Sequence, residues 1–506
     1  MTSPANTRLP ISDDVEAVLP AAISRAHNWL KSTADEEDKA TEQLADLLRD
    51  EDGVKFTMDF VDRVMRPEDD KVAAHALKDI SSHYDPSFLG SINGALVGAG
   101  GFFGPILPNL VMPITRIYMR KMVGHLVLDA ESESLNKTLD KAAESGEQLN
   151  LNLLGEAVLG EAEAKSRAER TLKLIQNPRV TYVSVKASSM VAQLNQWDID
   201  GSVERLKERL RPLYAEAARR NPQVFINMDM EEYHDLHLTI RLFKELMSEP
   251  EFKNLESGIV LQAYLPDTFD ALKDIAEFAK QRVAEGGAKV KVRIVKGANL
   301  SMETVQGEVH DWPLATYTNK LDVDANYYRL LDFILREEYA DSVRIGVATH
   351  NLYTAAMAYE LGKKRGVLHM MDSEMLQGMS PAQQAAVRKV FDGRQILYTP
   401  VVHAEDFDVA VSYLVRRLEE NSAPQNFLYA LFAPGEEPLA DQEETFRRAV
   451  AKRWDTFAGA RRTQNRLEED GRQAPRTGRF TNEADTDPAL APNRQWAQEA
   501  LKRNPG

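Results

Sequence analysis

The stretch KVKVRIVKG at residues 289–297 shows the pattern that decides the fold, a short β-rich run that ends in polar residues. It follows the amphipathic helical stretch DALKDIAEFAKQRVAE (270–285) and precedes a second run of the same kind, SVRIGVATH (342–350). Five more apolar, β-rich runs are VTYVSVKA (180–187), QVFINMD (223–229), GIVLQAY (258–264), VLHMMD (367–372) and RQILYTPV (394–401). Seven strand candidates joined by helical crossovers predict a parallel sheet.

Several of these runs are apolar on both faces, as in a barrel or a doubly wound sheet covered by helices. Their spacing of roughly 30 to 45 residues fits a (βα)8-type barrel with one weak or missing unit. Upstream of this region the apolar spacing is mostly helical, and downstream of it the chain becomes polar and charged. We therefore predict an α/β protein with a helical N-terminal arm or domain at 1–170, a barrel at 171–433 and a linker-like segment at 434–506.

Composition excludes several classes of site and partner. The 506 residues contain 62 Lys and Arg against 78 Asp and Glu, a net charge of −16, and no Cys. The absence of Cys excludes disulfides, cysteine metal sites, iron–sulfur clusters and thiol catalysis. An acidic chain is a poor match for nucleic-acid phosphates, so we expect no nucleic-acid partner. The first residues lack a basic segment followed by an apolar one, which predicts no secretory signal and a cytoplasmic protein.

One segment, residues 86–115, contains no charged residue. Its length would span a bilayer. However, its six Gly and four Pro are unusual for an uninterrupted spanning helix. We interpret it as a loop-rich apolar segment that covers a core or a partner, with shallow membrane contact as the alternative.

Polar side chains recur where the predicted strands end, and in such a barrel the active site lies at the carboxyl ends of the strands. A single strand-end Lys is explained equally well by a salt bridge at the rim. Burying several polar groups without partners costs about 1–3 kcal/mol each, and a ligand is one natural partner. The candidates are Lys186, Asp229, Gln262, Arg293, Lys296, Thr349, His350, Asn351 and Tyr398.

A second candidate group is the adjacent pair Arg416 and Arg417 in YLVRRLEEN (413–421). The planar guanidinium suits bidentate binding of a carboxylate. The alternative is a solvated helix whose arginines pair with the glutamates that follow. No metal site stands out, because His234 and His237 are the only closely spaced histidines on a predicted helix. We therefore expect no metal.

The strings IVLQAY, VRIVKGAN, VATHN, YTP and YLVRRLEEN, in this order, resemble the proline dehydrogenase family. The closest resemblance is to the flavoprotein half of the bifunctional bacterial proline-utilisation enzymes, and it extends upstream to FVDRVMRPED (60–69) and NLLGEAVL (152–159). It implies a distorted (βα)8 barrel with non-covalent FAD. It also implies oxidation of L-proline to Δ1-pyrroline-5-carboxylate, the first step of proline catabolism to glutamate. The electrons would pass to a membrane quinone, with peripheral contact at the inner face of the membrane.

The resemblance also implies roles for individual residues. Arg416 and Arg417 would bind the proline carboxylate, and Glu156 would pair with them. Lys186, Asp229 and Tyr398 would be catalytic residues where flavin and substrate meet. The residues at positions where the family contacts FAD are Gln262, Arg293, Lys296, Thr349, His350, Asn351 and Glu420.

The chain departs from the family pattern at one site, and its C-terminal part resembles a second module. The family often has an aromatic pair after VKGA, whereas this chain has Asn299 and Leu300. The stretch RFTNEADTDPALAPNRQWAQEAL (479–501) resembles the start of the aldehyde dehydrogenase half of the bifunctional enzymes. Because the chain has no Cys, we expect that half to be truncated here and supplied by fusion or cooperation with a separate aldehyde dehydrogenase module.

Two other functions are compatible with the same residues. Lys186 and Lys296 both end strands, and a desolvated Lys is a nucleophile, so the chain could be a Schiff-base aldolase. It could also be a non-catalytic barrel that binds a partner through its acidic helical N-terminus.

Overall fold

The computed structural model describes residues 13–33, 51–67, 69–84, 105–109, 111–115, 127–130, 132–155, 158–403, 406, 410, 413, 417, 420–421, 423–433, 435, 437–469 and 482–503. Arg416, Glu156 and most of the uncharged segment 86–115 lie outside the described residues. The predictions made for them therefore stay predictions.

Eight parallel strands, β2 to β9, pair in chain order, and β9 closes the ring by pairing with both β8 and β2. A short strand, β1, extends the sheet beside the end of β9. The strands are β1 Leu128–Asp129, β2 Gln148–Leu153, β3 Tyr182–Lys186, β4 Phe225–Asp229, β5 Ser257–Gln262, β6 Val290–Val295, β7 Val343–Ala348, β8 Met371–Leu376 and β9 Gln395–Val402. The predicted (βα)8 barrel is confirmed.

Helices surround this barrel and precede it. They are α1 Asp13–Thr33, α2 Glu51–Phe60, α3 Asp70–His83, α4 Ser132–Ser145, α5 Glu161–Gln176, α6 Ile199–Arg219, α7 Leu236–Met247, α8 Thr268–Ala284, α9 Leu300–His310, α10 Lys320–Ile334, α11 Glu337–Ala340, α12 Leu352–Lys364, α13 Pro381–Val390, α14 Phe427–Phe432, α15 Glu437–Lys452 and α16 Ala491–Arg503. A π-helical turn, Val61–Met65, follows α2. None of the described helices is long and apolar enough to cross a membrane.

The crossover helix α6 shows how local sequence produces these elements. Asp198 precedes it and accepts a hydrogen bond from the Gly201 amide, which satisfies one of the free N–H groups at the helix start. Leu206, Leu210 and Leu213 then recur at helical spacing and are buried against the sheet. A smaller apolar cluster joins α2 and α3 to the carboxyl ends of β2 and β9. The helical segment before the barrel therefore covers one edge of the barrel mouth.

The sequence prediction missed the short strand β1 and the barrel strand β2, and both lie within the range 1–170 that was expected to be helical. The β2 sequence QLNLNL places Asn150 and Asn152 beside Tyr398 and Ser184 of the neighbouring strands, with both asparagines buried. Adjacent residues of a parallel register share a face, so the polar side chains of β2 point into the barrel. The barrel interior is polar here, and the usual apolar signal of a buried strand is therefore weak.

Two other boundaries differ from the sequence prediction. Half of the run 367–372 forms a 3-10 turn, Leu368–Met370, and β8 begins only at Met371. Part of the predicted linker, 437–469, folds onto the barrel: α15 packs against α10. Arg453 at its end is buried and pairs with Asp332 at 3.0 Å.

Candidate active site

Three of the predicted strand-end residues lie at one mouth of the barrel, whereas Arg293 and Tyr398 lie inside β6 and β9. Lys186, Asp229 and Gln262 are the last residues of β3, β4 and β5, and the first two are direct partners in the register. Carboxyl ends of parallel strands lie at the same edge of the sheet, so the three side chains share that mouth.

Asp229 is the centre of a buried hydrogen-bond network. Its Oδ2 accepts from the Tyr398 hydroxyl at 2.8 Å. Its Oδ1 accepts from the Asn227 amide at 2.8 Å and from the Ser184 hydroxyl at 3.2 Å. Asp229 is only 8% exposed, so these donors replace nearly all of its hydration. The sequence predicted Asp229 and Tyr398 but neither of the other two donors.

Burial raises the pKa of Asp229 above its ordinary value, although Arg293 and the Tyr398 hydroxyl act to lower it. Burial and the nearby Asp229 raise the pKa of Tyr398 well above its ordinary value. Tyr398 therefore keeps its proton at neutral pH and remains the donor of the pair.

Arg293 lies next to this network and forms an ion pair with Glu374 in the barrel interior. Its Nε donates to Glu374 Oε2 at 2.5 Å, and its guanidinium carbon lies 4.8 Å from the centre of the Tyr398 ring. Among the described residues, no hydrogen-bond acceptor pairs with its terminal Nη groups. A cation with two available donor groups thus adjoins the Asp229–Tyr398 pair.

Lys186 and Gln262 both interact with Glu231, a residue that the sequence analysis did not select. Lys186 Nζ lies 2.6 Å from Glu231 Oε1, and Ser188 donates to the other carboxylate oxygen. Gln262 Nε2 donates to the Glu231 carbonyl at 3.0 Å. Its Oε1 is buried without a hydrogen-bond partner, which leaves an acceptor for a donor from outside the described residues.

Lys296 follows β6 and belongs to a separate cationic group. Its Nζ lies 2.5 Å from Asp324 Oδ1, and Lys320 pairs with the other oxygen of the same carboxylate. Burial lowers the pKa of Lys296 to about 8, with Lys320 acting in the same direction and Asp324 against it. Two ammonium groups around one carboxylate leave an excess positive charge, which suits an anionic ligand.

The three candidates after β7 have mainly local partners. Asn351 Oδ1 accepts from the Tyr353 and Thr354 amides and caps α12, and Thr349 Oγ1 accepts from the Asn351 amide. His350 Nε2 accepts from the Leu376 amide at 2.9 Å, so the neutral ring carries its proton on Nδ1.

Burial lowers the pKa of His350 to about 4, and the charge of Arg417 acts in the same direction. Arg417 Nη1 itself donates to Glu420 Oε2 at 2.6 Å, and its guanidinium lies 5.3 Å from the centre of the Tyr413 ring. The local Arg–Glu pair that the sequence offered as an alternative is therefore present. Arg417 Nε is buried and has no hydrogen-bond partner within the part of the chain that the structure describes.

The residues that sequence reasoning missed did leave a signal. Lys291 and Glu374 lie inside β6 and β8, and both are fully buried. A charged residue in the interior of a strand is costly unless it is paired, so its presence indicates a partner across the barrel. Glu231 left a weaker signal, as one of two adjacent glutamates just after β4. Within the described residues, no group of three or more His, Asp or Glu side chains is arranged to hold a metal.

Curated relatives of this chain are known. The bifunctional protein PutA of Klebsiella aerogenes is 28% identical over 374 residues, which cover 69% of this chain and 27% of that protein. The proline dehydrogenase of Deinococcus radiodurans is 27% identical over 266 residues, which cover 50% of this chain and 77% of that protein. The chain spans about a quarter of the length of the bifunctional relatives that it matches.

Solved structures and a family model also match this chain. Proline utilization A from Corynebacterium freiburgense is 55% identical with a TM-score of 0.67, covering 78% of this chain and 38% of that one. The protein of the same name from Bdellovibrio bacteriovorus is 26% identical with a TM-score of 0.74, covering 96% of this chain and 48% of that one. The model of the proline dehydrogenase family matches residues 135–430, more than half of the chain. The chain belongs to the proline dehydrogenase family.

Proposed function

We propose that this chain oxidises L-proline to Δ1-pyrroline-5-carboxylate with bound FAD, and that the electrons then pass to a membrane quinone. The observation that carries the proposal is the buried group of Asp229, Tyr398 and Arg293 at the barrel mouth of a member of this family. Such a group can hold a substrate and stabilise charge in a site that excludes water.

Three features of the described residues support FAD as the cofactor. Gln262 has a buried acceptor that lacks a donor, which fits an N–H group of a flavin ring. Arg293 offers hydrogen-bond donors beside the Asp229–Tyr398 pair. Lys296 and Lys320 give an excess positive charge that fits a diphosphate. When bound, FAD supplies a two-electron acceptor, which takes the hydride from the carbon next to the proline nitrogen.

The protein residues would bind and orient the substrate. Arg417, together with Arg416 and its proposed partner Glu156, would bind the proline carboxylate. The neutral amine loses its N–H proton to solvent as the C=N bond forms, so one hydride and one proton leave L-proline. Two electrons and two protons then convert the quinone to a quinol. Asp229, oriented by Tyr398, would offset positive charge that develops at the nitrogen.

The aldolase alternative leaves part of the candidate site without a role. Lys186 is paired with Glu231, and Lys296 is paired with Asp324. Burial lowers the pKa of Lys296 to about 8, which would suit a Schiff-base nucleophile. That reaction, however, gives no role to Arg417 or to the buried acceptor of Gln262.

An anaerobic absorbance scan tests the proposal. The purified chain, reconstituted with FAD, should show flavin bands that bleach when L-proline is added. Arg417→Met should retain the flavin bands and lose bleaching at low proline concentration. Lys244→Met, which removes a surface ion pair with Asp274, is the matched control and should bleach like the wild type. A protein that binds no FAD would refute the proposal, and so would a flavoprotein that L-proline does not bleach.

The product and the electrons require partners. We propose that an aldehyde dehydrogenase module, fused to this chain or cooperating with it, completes the conversion to glutamate. The chain alone, with L-proline and a quinone, should accumulate an imine that o-aminobenzaldehyde traps, and it should reduce no NAD. Co-sedimentation with quinone-containing vesicles tests the proposed peripheral membrane contact, which retention of the protein in the supernatant would contradict.

A further inference from the structure

We propose that Lys291 and Glu374 are positioning residues that set how much positive charge Arg293 presents to the active site. The inference rests on the proposed flavin function, because Arg293 is the member of this group that lies at the mouth. Among the described residues, the ion pairs of the Lys291 and Glu374 side chains reach the candidate site residues only through Arg293.

The observation is a chain of charges of alternating sign inside the barrel, half-buried at Arg344 and buried from Asp372 to Arg293. Arg344 Nη2 lies 2.6 Å from Asp372 Oδ2, and Lys291 Nζ lies 2.9 Å from the same oxygen. Lys291 Nζ also lies 2.7 Å from Glu374 Oε1. Glu374 Oε2 in turn accepts from Arg293 Nε at 2.5 Å. The Glu374 carboxylate therefore pairs with two cations, Lys291 through one oxygen and Arg293 through the other.

A glycine on the strand between Lys291 and Glu374 leaves room for their contact. Lys291 and Arg293 lie two residues apart on β6, and Glu374 lies on β8, so β7 separates the pair. Gly346 of β7 is the register partner of Arg293. A Cβ atom on Gly346 would overlap Glu374 Oε1 and lie 3.0 Å from Lys291 Cε. The absence of a side chain at Gly346 is what allows the two charged groups to meet across β7.

Stability alone does not account for this pair. Lys291 and Glu374 are 0% exposed, and replacing a buried ion pair by apolar residues of similar size is often neutral or stabilising. Its electrostatic effect, however, is large, because charges in a dry interior are weakly screened. With Lys291 present, Glu374 is neutralised from below and Arg293 keeps much of its positive charge. Without Lys291, Glu374 would cancel the charge of Arg293.

This reasoning predicts shifts of opposite sign for two neighbouring residues. Lys291→Met leaves an excess negative charge next to Arg293, so it should destabilise the anionic reduced flavin and lower its midpoint potential. Glu374→Gln leaves an excess positive charge and should raise the potential. The double variant removes one charge of each sign and should return close to the wild-type value. Damage to packing would not produce opposite shifts that cancel.

The experiment is spectroelectrochemical titration of the flavin bound to each purified variant. A second measurement is the dissociation constant of sulfite, which adds to oxidised flavin as an anion. Lys291→Met should weaken sulfite binding by about tenfold or more, and Glu374→Gln should strengthen it, given the weak screening of buried charges. If Lys291→Met does not fold, Glu374→Gln should still raise the potential, whereas Lys291→Arg, which retains the charge, should leave it unchanged.

Asp332→Asn is a matched control. Asp332 is also fully buried and pairs with two cations, Arg365 at 2.6 Å and Arg453 at 3.0 Å, but it lies outside the barrel. This variant should lower the melting temperature and leave the flavin potential unchanged. Equal potentials in all variants, or shifts of the same sign for Lys291→Met and Glu374→Gln, would overturn the inference. A wild-type chain that binds no flavin would instead refute the proposed function.

Discussion

Replacing Tyr398 by Phe removes one hydroxyl from the centre of the site and leaves the ring in place. That hydroxyl donates to Asp229 Oδ2 at 2.8 Å. The ring contact with Arg293 at 4.8 Å does not involve it. The substitution therefore isolates one hydrogen bond to a buried carboxylate, and the Ser184 and Asn227 bonds to the other oxygen remain.

The expected loss of unfolding free energy in Tyr398→Phe depends on whether Asp229 is ionised. A hydrogen bond to an ionised group contributes about 1.5–3 kcal/mol to stability, and one between neutral groups about 0.5–1.5 kcal/mol. Burial already raises the pKa of Asp229, so its ionised form is disfavoured in the folded protein. The stability that this raised pKa provides is present at low pH and is lost as the pH rises through it. Tyr398→Phe should raise the pKa further and cost more at high pH.

The assay is urea-induced unfolding of wild type and variant at pH 5.5 and pH 8.5. The loss in unfolding free energy should be larger at the higher pH. A double-mutant cycle with Asp229→Asn should give a coupling of about 1 kcal/mol or more between the two positions. In steady-state kinetics, the acid limb of the pH–rate profile should move to higher pH. An equal loss at both pH values together with no coupling would refute the view that Tyr398 stabilises an ionised Asp229.

Three other substitutions test single features of the structure. Burial raises the pKa of Asp267 to about 6, so its ionised form destabilises the fold above that pH. Asp267→Asn should increase the unfolding free energy by about 1–3 kcal/mol at pH 8 and have little effect below pH 4, measured by urea titration. Gly346→Ala should force Glu374 away and cost about 1–3 kcal/mol in the same assay. Glu231→Gln removes the charge partner of the half-buried Lys186. It should cost about 1 kcal/mol or less in stability, and a lower rate of dye-linked proline oxidation would distinguish a role in the site from a rim salt bridge.

Much of the barrel was predictable because its strands are short, β-rich and separated by helices of regular spacing. β4, β5 and β6 lie within two residues of the predicted runs. Strand β2 was missed for a physical reason. Its inward side chains are Asn150 and Asn152, and they interrupt the apolar run that marks most of the other barrel strands. Periodicity identifies which residues alternate, but it does not tell which side of the sheet is polar.

The candidate site was predictable by residue type and less so by partner. The end of each strand identifies Asp229 and Lys186 as neighbours at the mouth, since the register of adjacent parallel strands is nearly fixed. It does not identify Glu231 as the partner of Lys186, because that residue lies in a loop whose path depends on the tertiary structure. Asn351 illustrates the opposite case: its polar side chain at a strand end caps a helix, a role that the sequence does not separate from ligand binding.

The pair of Lys291 and Glu374 shows which kind of contact cannot be predicted from the sequence. Alternation places Lys291 on the same face of β6 as Arg293, and Glu374 on the same face of β8 as Asp372. Their contact, however, spans an intervening strand, and it depends on Gly346 having no side chain at that level of the barrel. A single sequence contains all three residues, but nothing in it aligns position 346 with the space between positions 291 and 374. Charged residues inside barrel strands should therefore be interpreted together with glycines on the strand between them, because the missing side chain indicates where two charges can meet.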